Sequence, residues 1–272
     1  MERILAGKSL EHALQALIDE RAPQGKVSYL VTTLEDDENM RIVAARHESH
    51  IHTGASMVKV LIMEYLFHLS REGQLDLADS ISLSKTPRVE GAGALQEISS
   101  KHSFTYLEYC RLMMVLSDNW ATNILIQALG MENINAHAEK LGVSNVTINR
   151  MMMDIEAQQE RRENTISALD LALLYQHIYN LRDESLYGSE MWNILGRQQY
   201  RDVIPFHWGA HVKFYHKTGS LDQVIHDGGI LQTLRGDFCI IVLISDVPND
   251  TATELGAAMG KTIKEFIEEA LP

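Results

Sequence analysis

Hydrophobic residues recur at two different spacings along this chain of 272 residues. Residues 9–21 carry Leu10, Leu14 and Ile18 at helical spacing, with Ser9 in the position of an N-cap. Apolar runs rich in β-branched residues predict strands, at 26–35, 41–47, 211–217, 227–234 and 237–246, and the turn-forming residues 36–40 are expected to join the first two. Helical periodicity predicts the remaining elements, at 56–70, 105–117, 119–129, 131–141, 167–181 and 251–270.

The order of these predicted elements indicates the fold class. Two strands near the N-terminus are separated from three near the C-terminus by a long helical block. Consecutive elements usually pack together, so this order predicts one antiparallel sheet assembled from both chain ends. We predict an α+β fold with helices flanking the sheet and an inserted all-α lobe. Residues 1–52 and 196–272 would form the sheet lobe, and residues 53–195 the helical lobe.

Composition and charge narrow the class of protein. Hydrophobic residues make up 45% of the chain and charged residues 22%, which is typical of a globular protein with a substantial core. A net charge of −13 disfavours nucleic acid and anionic membrane surfaces as partners. No apolar run approaches the length of a transmembrane helix. The sequence as written has no export signal, which predicts a cytoplasmic protein, or a secreted one if a leader has been removed.

Three short motifs carry candidate chemistry. Ser56 precedes Lys59 by three residues at the start of a helical stripe, which places both side chains on one face. Residues 117–119 read Ser-Asp-Asn between two helical stripes, and residues 217–219 read Lys-Thr-Gly at the end of a predicted strand. The first motif alone is weak evidence, because residues 82–85 repeat it just before a proline that would interrupt a helix.

The three motifs in this order resemble the signature of the penicillin-recognising serine enzymes. The intervals, 61 residues from Ser56 to Ser117 and 100 from Ser117 to Lys217, resemble those of class A β-lactamases. A serine hydroxyl needs a neighbouring base to become nucleophilic, and a buried lysine has a lowered pKa that suits this role.

The resemblance implies a role for each motif residue. Ser56 would attack the acyl carbon, and Lys59 would accept its proton, directly or through water. Ser117 would pass a proton to the leaving nitrogen. The remaining residues would bind the substrate. Asn119 would hold the amide side chain of the substrate, Lys217 and Thr218 would bind its carboxylate, and Gly219 would allow close approach of the strand. The backbone N–H groups of Ser56 and Ser220 would form the oxyanion hole. Asp118 is expected to organise its loop by accepting hydrogen bonds.

The loop that supplies the deacylating base in class A enzymes is altered here. Residues 149–174 correspond to that loop, and Arg150 and Glu163 are expected to close its neck as an ion pair. Met152 occupies the position where the family carries a glutamate. Asp154 or Glu156 could supply the carboxylate instead, with Asp154 preferred; alternatively, the acid simply faces water.

Histidines and cysteines raise further hypotheses. His226 lies where many relatives carry an arginine that helps to bind the carboxylate, so it is either a weaker substitute or a strand histidine at the cleft rim. The three histidines of residues 47–52 are close in sequence, but strand or turn geometry separates them, and we predict no metal and no cofactor. Cys110 and Cys239 are expected to be buried free thiols.

These observations favour a serine hydrolase of β-lactamase type that opens β-lactam amides through a Ser56 acyl-enzyme. Two alternatives use the same scaffold. One is a D-Ala-D-Ala carboxypeptidase or esterase, and the other is a penicillin-binding sensor that is acylated without turnover. The expected partner is a small molecule, either a β-lactam or an acyl-D-Ala-D-Ala-like peptide.

Overall fold

The computed structural model describes residues 2–34 and 40–270. Its helices are α1 (Glu2–Arg21), α2 (Lys59–Arg71), α3 (Tyr106–Val115), α4 (Asn119–Leu129), α5 (Met131–Lys140), α6 (Ile155–Gln159), α7 (Ala168–Leu181), α8 (Leu186–Leu195) and α9 (Asn249–Ala270). Its strands are β1 (Lys26–Leu34), β2 (Arg41–Arg46), β3 (His52–Thr53), β4 (Ser80–Ser82), β5 (Ser103–Thr105), β6 (Thr165–Ile166), β7 (Phe214–Leu221), β8 (Val224–Thr233) and β9 (Gly236–Ser245).

The main sheet joins the two ends of the chain. In the described part of the chain it has five strands in the order β2-β1-β9-β8-β7, and every neighbouring pair is antiparallel. The first strand, β1, pairs with the last, β9, along its whole length, from Lys26 opposite Ser245 to Leu34 opposite Asp237. This arrangement confirms the predicted α+β fold with an antiparallel sheet and flanking helices.

Both faces of the sheet are covered by helices. Successive side chains along a strand point to opposite faces, so neighbouring residues of β9 enter different cores. Ile241 and Leu243 pack with buried residues of α2 and α7. Ile240 and Val242 pack on the other face with residues of α1 and α9. Burial on both faces explains why β9 is a continuous apolar run rather than an alternating one.

Helix α2 lies inside the helical block, where it contacts α3, α4, α5, α7 and α8. It therefore buries ionisable side chains as well as apolar ones. Glu64 is 1% exposed, and its carboxylate accepts hydrogen bonds from His137 on α5 and, at 3.1 Å, from Nε2 of His177 on α7. Burial raises the pKa of Glu64, but the two histidine hydrogen bonds outweigh it and lower the pKa to about 2.

Two predicted boundaries are wrong. Helix α1 begins at Glu2, so Ser9 lies inside the helix and not at its start. Strand β7 continues to Leu221 because its pairing with β8 extends that far, so residues 217–219 lie within the strand and not at its end. The predicted turn at 36–40 lies outside the described residues, except for Met40.

Three other sequence predictions concern membranes, thiols and lobes. Among residues 2–34 and 40–270, no helix is long and apolar enough to cross a membrane.

Cys110 on α3 and Cys239 on β9 are buried free thiols, and burial raises the pKa of both. The division into lobes at residues 52/53 and 195/196 stays a prediction.

Candidate active site

Ser56 lies in a single 3₁₀ turn, residues 55–58, that leads directly into α2. The residue before it, Ala55, has a φ of 44°, a left-handed conformation that strains a residue with a side chain. Strand β7 passes beside this turn, because a Cβ added at Gly219 would lie only 3.2 Å from the Ser56 backbone nitrogen. Glycine thus allows the strand to approach the Ser56 backbone closely.

The hydroxyl of Ser117 lies between two buried lysines. Nζ of Lys59 is 3.2 Å from Ser117 Oγ and also donates to the Ser117 carbonyl at 2.8 Å and to Asn119 Oδ1 at 3.0 Å. Nζ of Lys217 lies 3.0 Å from the same Oγ and donates to the Thr218 carbonyl at 2.7 Å. Ser117 itself has a φ of 56°, so its backbone is held in a strained left-handed conformation. Residues from three distant segments therefore meet at one hydroxyl.

Burial lowers the pKa of both lysines. Lys59 is fully buried, and desolvation together with the positive charge of Lys217 holds its pKa well below the ordinary value. Desolvation also lowers the pKa of Lys217 to about 7, with the Asp227 carboxylate opposing that fall. A neutral Lys59 can accept a proton, whereas Lys217 stays partly protonated near neutral pH. Lys59 is therefore a candidate base, and Lys217 a candidate cation.

Asp118 organises the loop that holds Ser117. Its Oδ1 accepts from the backbone N–H of Ala121 at 2.9 Å and caps helix α4. Its Oδ2 accepts from the backbone N–H groups of Ala94 and Leu95, at 2.7 and 2.8 Å. Both oxygens are engaged by backbone groups, which is the structural role expected from the sequence.

A cleft of about 970 Å³ opens over these groups. The predicted site residues on its wall are Ser56, Ser117, Asn119, Thr218, Gly219 and Ser220. Lys59 and Lys217 are fully buried just beneath, bonded to the Ser117 hydroxyl. The structure therefore brings together the residues of all three motifs.

The altered loop is fixed against the cleft by its own hydrogen bonds. Arg150 and Glu163 form the expected ion pair at 2.9 Å. Asn123 on α4 holds the backbone of Met152 from both sides: its Oδ1 accepts from Met152 N at 2.7 Å, and its Nδ2 donates to Met152 O at 3.0 Å. Met152 is thereby held on the cleft wall. Asn123 is a positioning residue that sequence reasoning missed; its place one helical turn after Asn119 was the available signal.

Neither acid predicted as the alternative base reaches the cleft wall. Asp154 caps the short helix α6, where its Oδ1 accepts from the backbone N–H of Ala157 at 2.9 Å. Glu156 lies in that helix with an exposed side chain. Loop geometry explains this outcome, because a carboxylate that caps a helix is turned toward backbone N–H groups. The structure thus favours the interpretation of both as structural or solvent-facing acids.

His226 lies on the cleft wall, where its ring is buried and bonded to backbone groups. Its Nε2 donates to the Thr53 carbonyl at 2.9 Å, and its Nδ1 lies 3.0 Å from the Ile225 carbonyl oxygen and 3.2 Å from the backbone nitrogen of Ile244. Burial lowers its pKa to about 4. A neutral ring with both nitrogens engaged cannot replace an arginine. The strand-histidine interpretation therefore fits the structure.

A buried pair behind Lys217 was also missed by sequence reasoning. His216 Nδ1 lies 2.7 Å from Asp227 Oδ1, and neither side chain is exposed. The second oxygen of Asp227 accepts from the backbone N–H of Ile204 at 3.0 Å. Asp227 supplies the negative charge that partly offsets the desolvation of Lys217. The two residues come close only because β7 and β8 are paired, so no local motif could indicate them.

Fold and site together define a protein of the penicillin-recognising serine hydrolase type. A family model described as the beta-lactamase enzyme family matches residues 9–267. The chain belongs to this family. No curated protein sequence matches the chain.

Solved structures show the same fold. A β-lactamase from Sphaerobacter thermophilus is 22% identical, with a TM-score of 0.83 over 94% of this chain and 97% of that one. PBP-A is 24% identical, with a TM-score of 0.84 over 96% of each chain. A mutant of PBP-A, solved as an acyl-enzyme with penicillin G, also has a TM-score of 0.84 and 24% identity, over 96% of this chain and 97% of that one.

Proposed function

We propose that this protein is a serine hydrolase of β-lactamase type that opens β-lactam amides through an acyl-enzyme at Ser56 and releases the acyl group slowly. The observation that carries the proposal is the Ser117 hydroxyl, held within 3.2 Å of Lys59 and 3.0 Å of Lys217 at the floor of the cleft that Ser56 lines. This is an arrangement that can activate a serine and return a proton to a leaving group.

In the acylation step, Ser56 Oγ attacks the acyl carbon and its proton passes to neutral Lys59. The developing oxyanion accepts hydrogen bonds from the backbone N–H groups of Ser56 and Ser220. As the C–N bond breaks, Ser117 gives its proton to the leaving nitrogen and regains one from the lysines. Lys217, in its protonated form, binds the substrate carboxylate.

Deacylation needs a water molecule and a base, and here the cleft is less well equipped. Met152 lies on the cleft wall, at the position where the resemblance to class A enzymes places the general base, and a thioether cannot accept a proton at neutral pH. Among the residues that the structure describes, the carboxylates on the cleft wall are Glu163, which is paired with Arg150, and Asp202, Asp222 and Asp246, which are exposed. Loss of a general base slows proton transfer by about a hundred- to ten-thousand-fold.

The absence of a positioned base among the described residues of the cleft wall also favours a second candidate function. A penicillin-binding sensor, or a D-Ala-D-Ala carboxypeptidase or esterase, also forms an acyl-enzyme, and the solved acyl-enzyme of a PBP-A mutant with penicillin G has this fold. The candidates share acylation at Ser56 and differ in the fate of the acyl group.

Intact-protein mass spectrometry during reaction with a chromogenic cephalosporin tests the proposal. We expect one covalent adduct per chain, absent in Ser56→Ala, with slow continuous release of product. An adduct that persists without release favours the sensor. If no adduct forms and the protein cleaves D-Ala-D-Ala peptides or simple esters, the peptidase or esterase is favoured. Adduct formation in Ser56→Ala would contradict every version.

A further inference from the structure

A second cavity of about 550 Å³ lies beside the start of β7. Helices α3 and α8, the segment before β7, and the first residues of β7 form its walls. Four cationic side chains line it, namely Arg111, Arg197, Arg201 and Lys213. In the part of the chain that the structure describes, Glu190 is the one carboxylate on these walls. This concentration of positive charge stands out in a chain with a net charge of −13.

The local charges do not balance. Glu190 Oε1 pairs with Arg111 at 2.7 Å and lies 3.6 Å from Arg197. One carboxylate shared by two guanidinium groups cannot neutralise both. The guanidinium of Arg201 donates to the Val212 carbonyl at 3.4 Å, a neutral acceptor.

Lys213 adds to the surplus. It is exposed, and within the described residues it has no carboxylate partner. Four cations against one carboxylate leave three positive charges around the cavity. A bound anion can pair with several of these groups at once.

The shape of the cavity suits a small ligand. Tyr215 lines one wall, and its ring stacks on Trp192 with centroids 3.8 Å apart. Gly196 lies against that ring, because a Cβ added there would come within 3.0 Å of Tyr215 Cε1. These contacts hold the Tyr215 wall of this half-open cavity in place.

We propose that this cavity binds a small polyanion that carries phosphate groups and at least two negative charges. The arginine fork matches phosphate oxygens in pairs, and a doubly charged anion matches the surplus better than a single carboxylate. A nucleic acid is a poor occupant because the rest of the chain is acidic and repels a long polyanion.

Calorimetric titration of the full chain with sodium pyrophosphate, at neutral pH and low salt, tests the proposal. We expect saturable binding of one pyrophosphate per chain that weakens as salt is added. The double variant Arg201→Gln/Lys213→Gln removes the two cavity cations for which the described residues supply no carboxylate partner, and it should bind about tenfold or more weakly. Melting curves will show that each variant is folded.

Two further variants make the test specific. Lys85→Gln/Lys101→Gln changes the net charge equally at exposed positions outside the cavity, and its affinity should stay within about twofold of the parent's. Glu190→Gln removes the competing carboxylate and should strengthen binding. The proposal is overturned if millimolar pyrophosphate gives no saturable heat. It is also overturned if Arg201→Gln/Lys213→Gln binds like the parent, if the control pair weakens binding as much, or if Glu190→Gln weakens it.

Discussion

Substitution of Met152 by glutamate should restore rapid release of the acyl group. Met152 lies on the cleft wall with Ser56 and Asn119. Two hydrogen bonds from the Asn123 side chain, of 2.7 and 3.0 Å, hold its backbone. A new side chain at this position therefore begins from a fixed point and extends into the cleft.

The expected gain follows from general-base catalysis. A positioned base contributes about a hundred- to ten-thousand-fold, so the deacylation rate should rise by at least about a hundredfold. The substitution also carries a penalty, because Met152 is only 8% exposed and a carboxylate there loses hydration. We expect a loss of about 1–3 kcal/mol in the free energy of unfolding. The negative charge would also raise the pKa of any lysine close to it.

The assay separates deacylation from acylation. Parent and Met152→Glu are first acylated with the same β-lactam, excess reagent is removed, and the adduct is followed by intact mass. Met152→Gln is the matched control, because it has nearly the same shape and polarity but cannot accept a proton. If the adduct decays equally fast in Met152→Glu and Met152→Gln, position 152 does not control the water, and the reasoning is wrong.

Three other expectations concern protonation and capping. The deacylation rate of Asp154→Asn should lie within about twofold of the parent's, since asparagine also caps helices well. A deacylation rate about a hundredfold lower would instead indicate that Asp154 is the base. Lys217 is protonated below its pKa of about 7 and neutral above it, so acylation by a carboxylate-bearing β-lactam should fall as pH rises through that value. Lys217→Arg, always charged, should remove this fall. Glu64 has a pKa of about 2 in the folded protein against an ordinary value of 4.5. Its contribution to the free energy of unfolding, about 3 kcal/mol, is therefore fully present above pH 4.5 and is lost as pH falls toward 2. Urea midpoints should show this loss in the parent and not in Glu64→Gln.

The contributions of local and long-range information can be separated for particular residues. Strand β9 and helix α7 were predicted because hydrophobic spacing is a local property. The motif residues at 56–59, 117–119 and 217–219 were recognised in the same way, from short runs and their order. Boundaries were less accurate, since the length of β7 depends on its pairing with β8 rather than on its own residues.

By itself, the sequence determined the order of the elements, the fold class and the motifs that supply a hydroxyl, two amines and an amide. Tertiary structure decided which groups share a cleft and in what protonation state. Burial beside another cation lowers the pKa of Lys59, and burial between β3 and β9 lowers the pKa of His226 to about 4. Tertiary structure also decided that Asp154 caps helix α6 and that four cations line the second cavity. Desolvation and charge pairing depend on every neighbour in space, and those neighbours come from segments far apart in the chain.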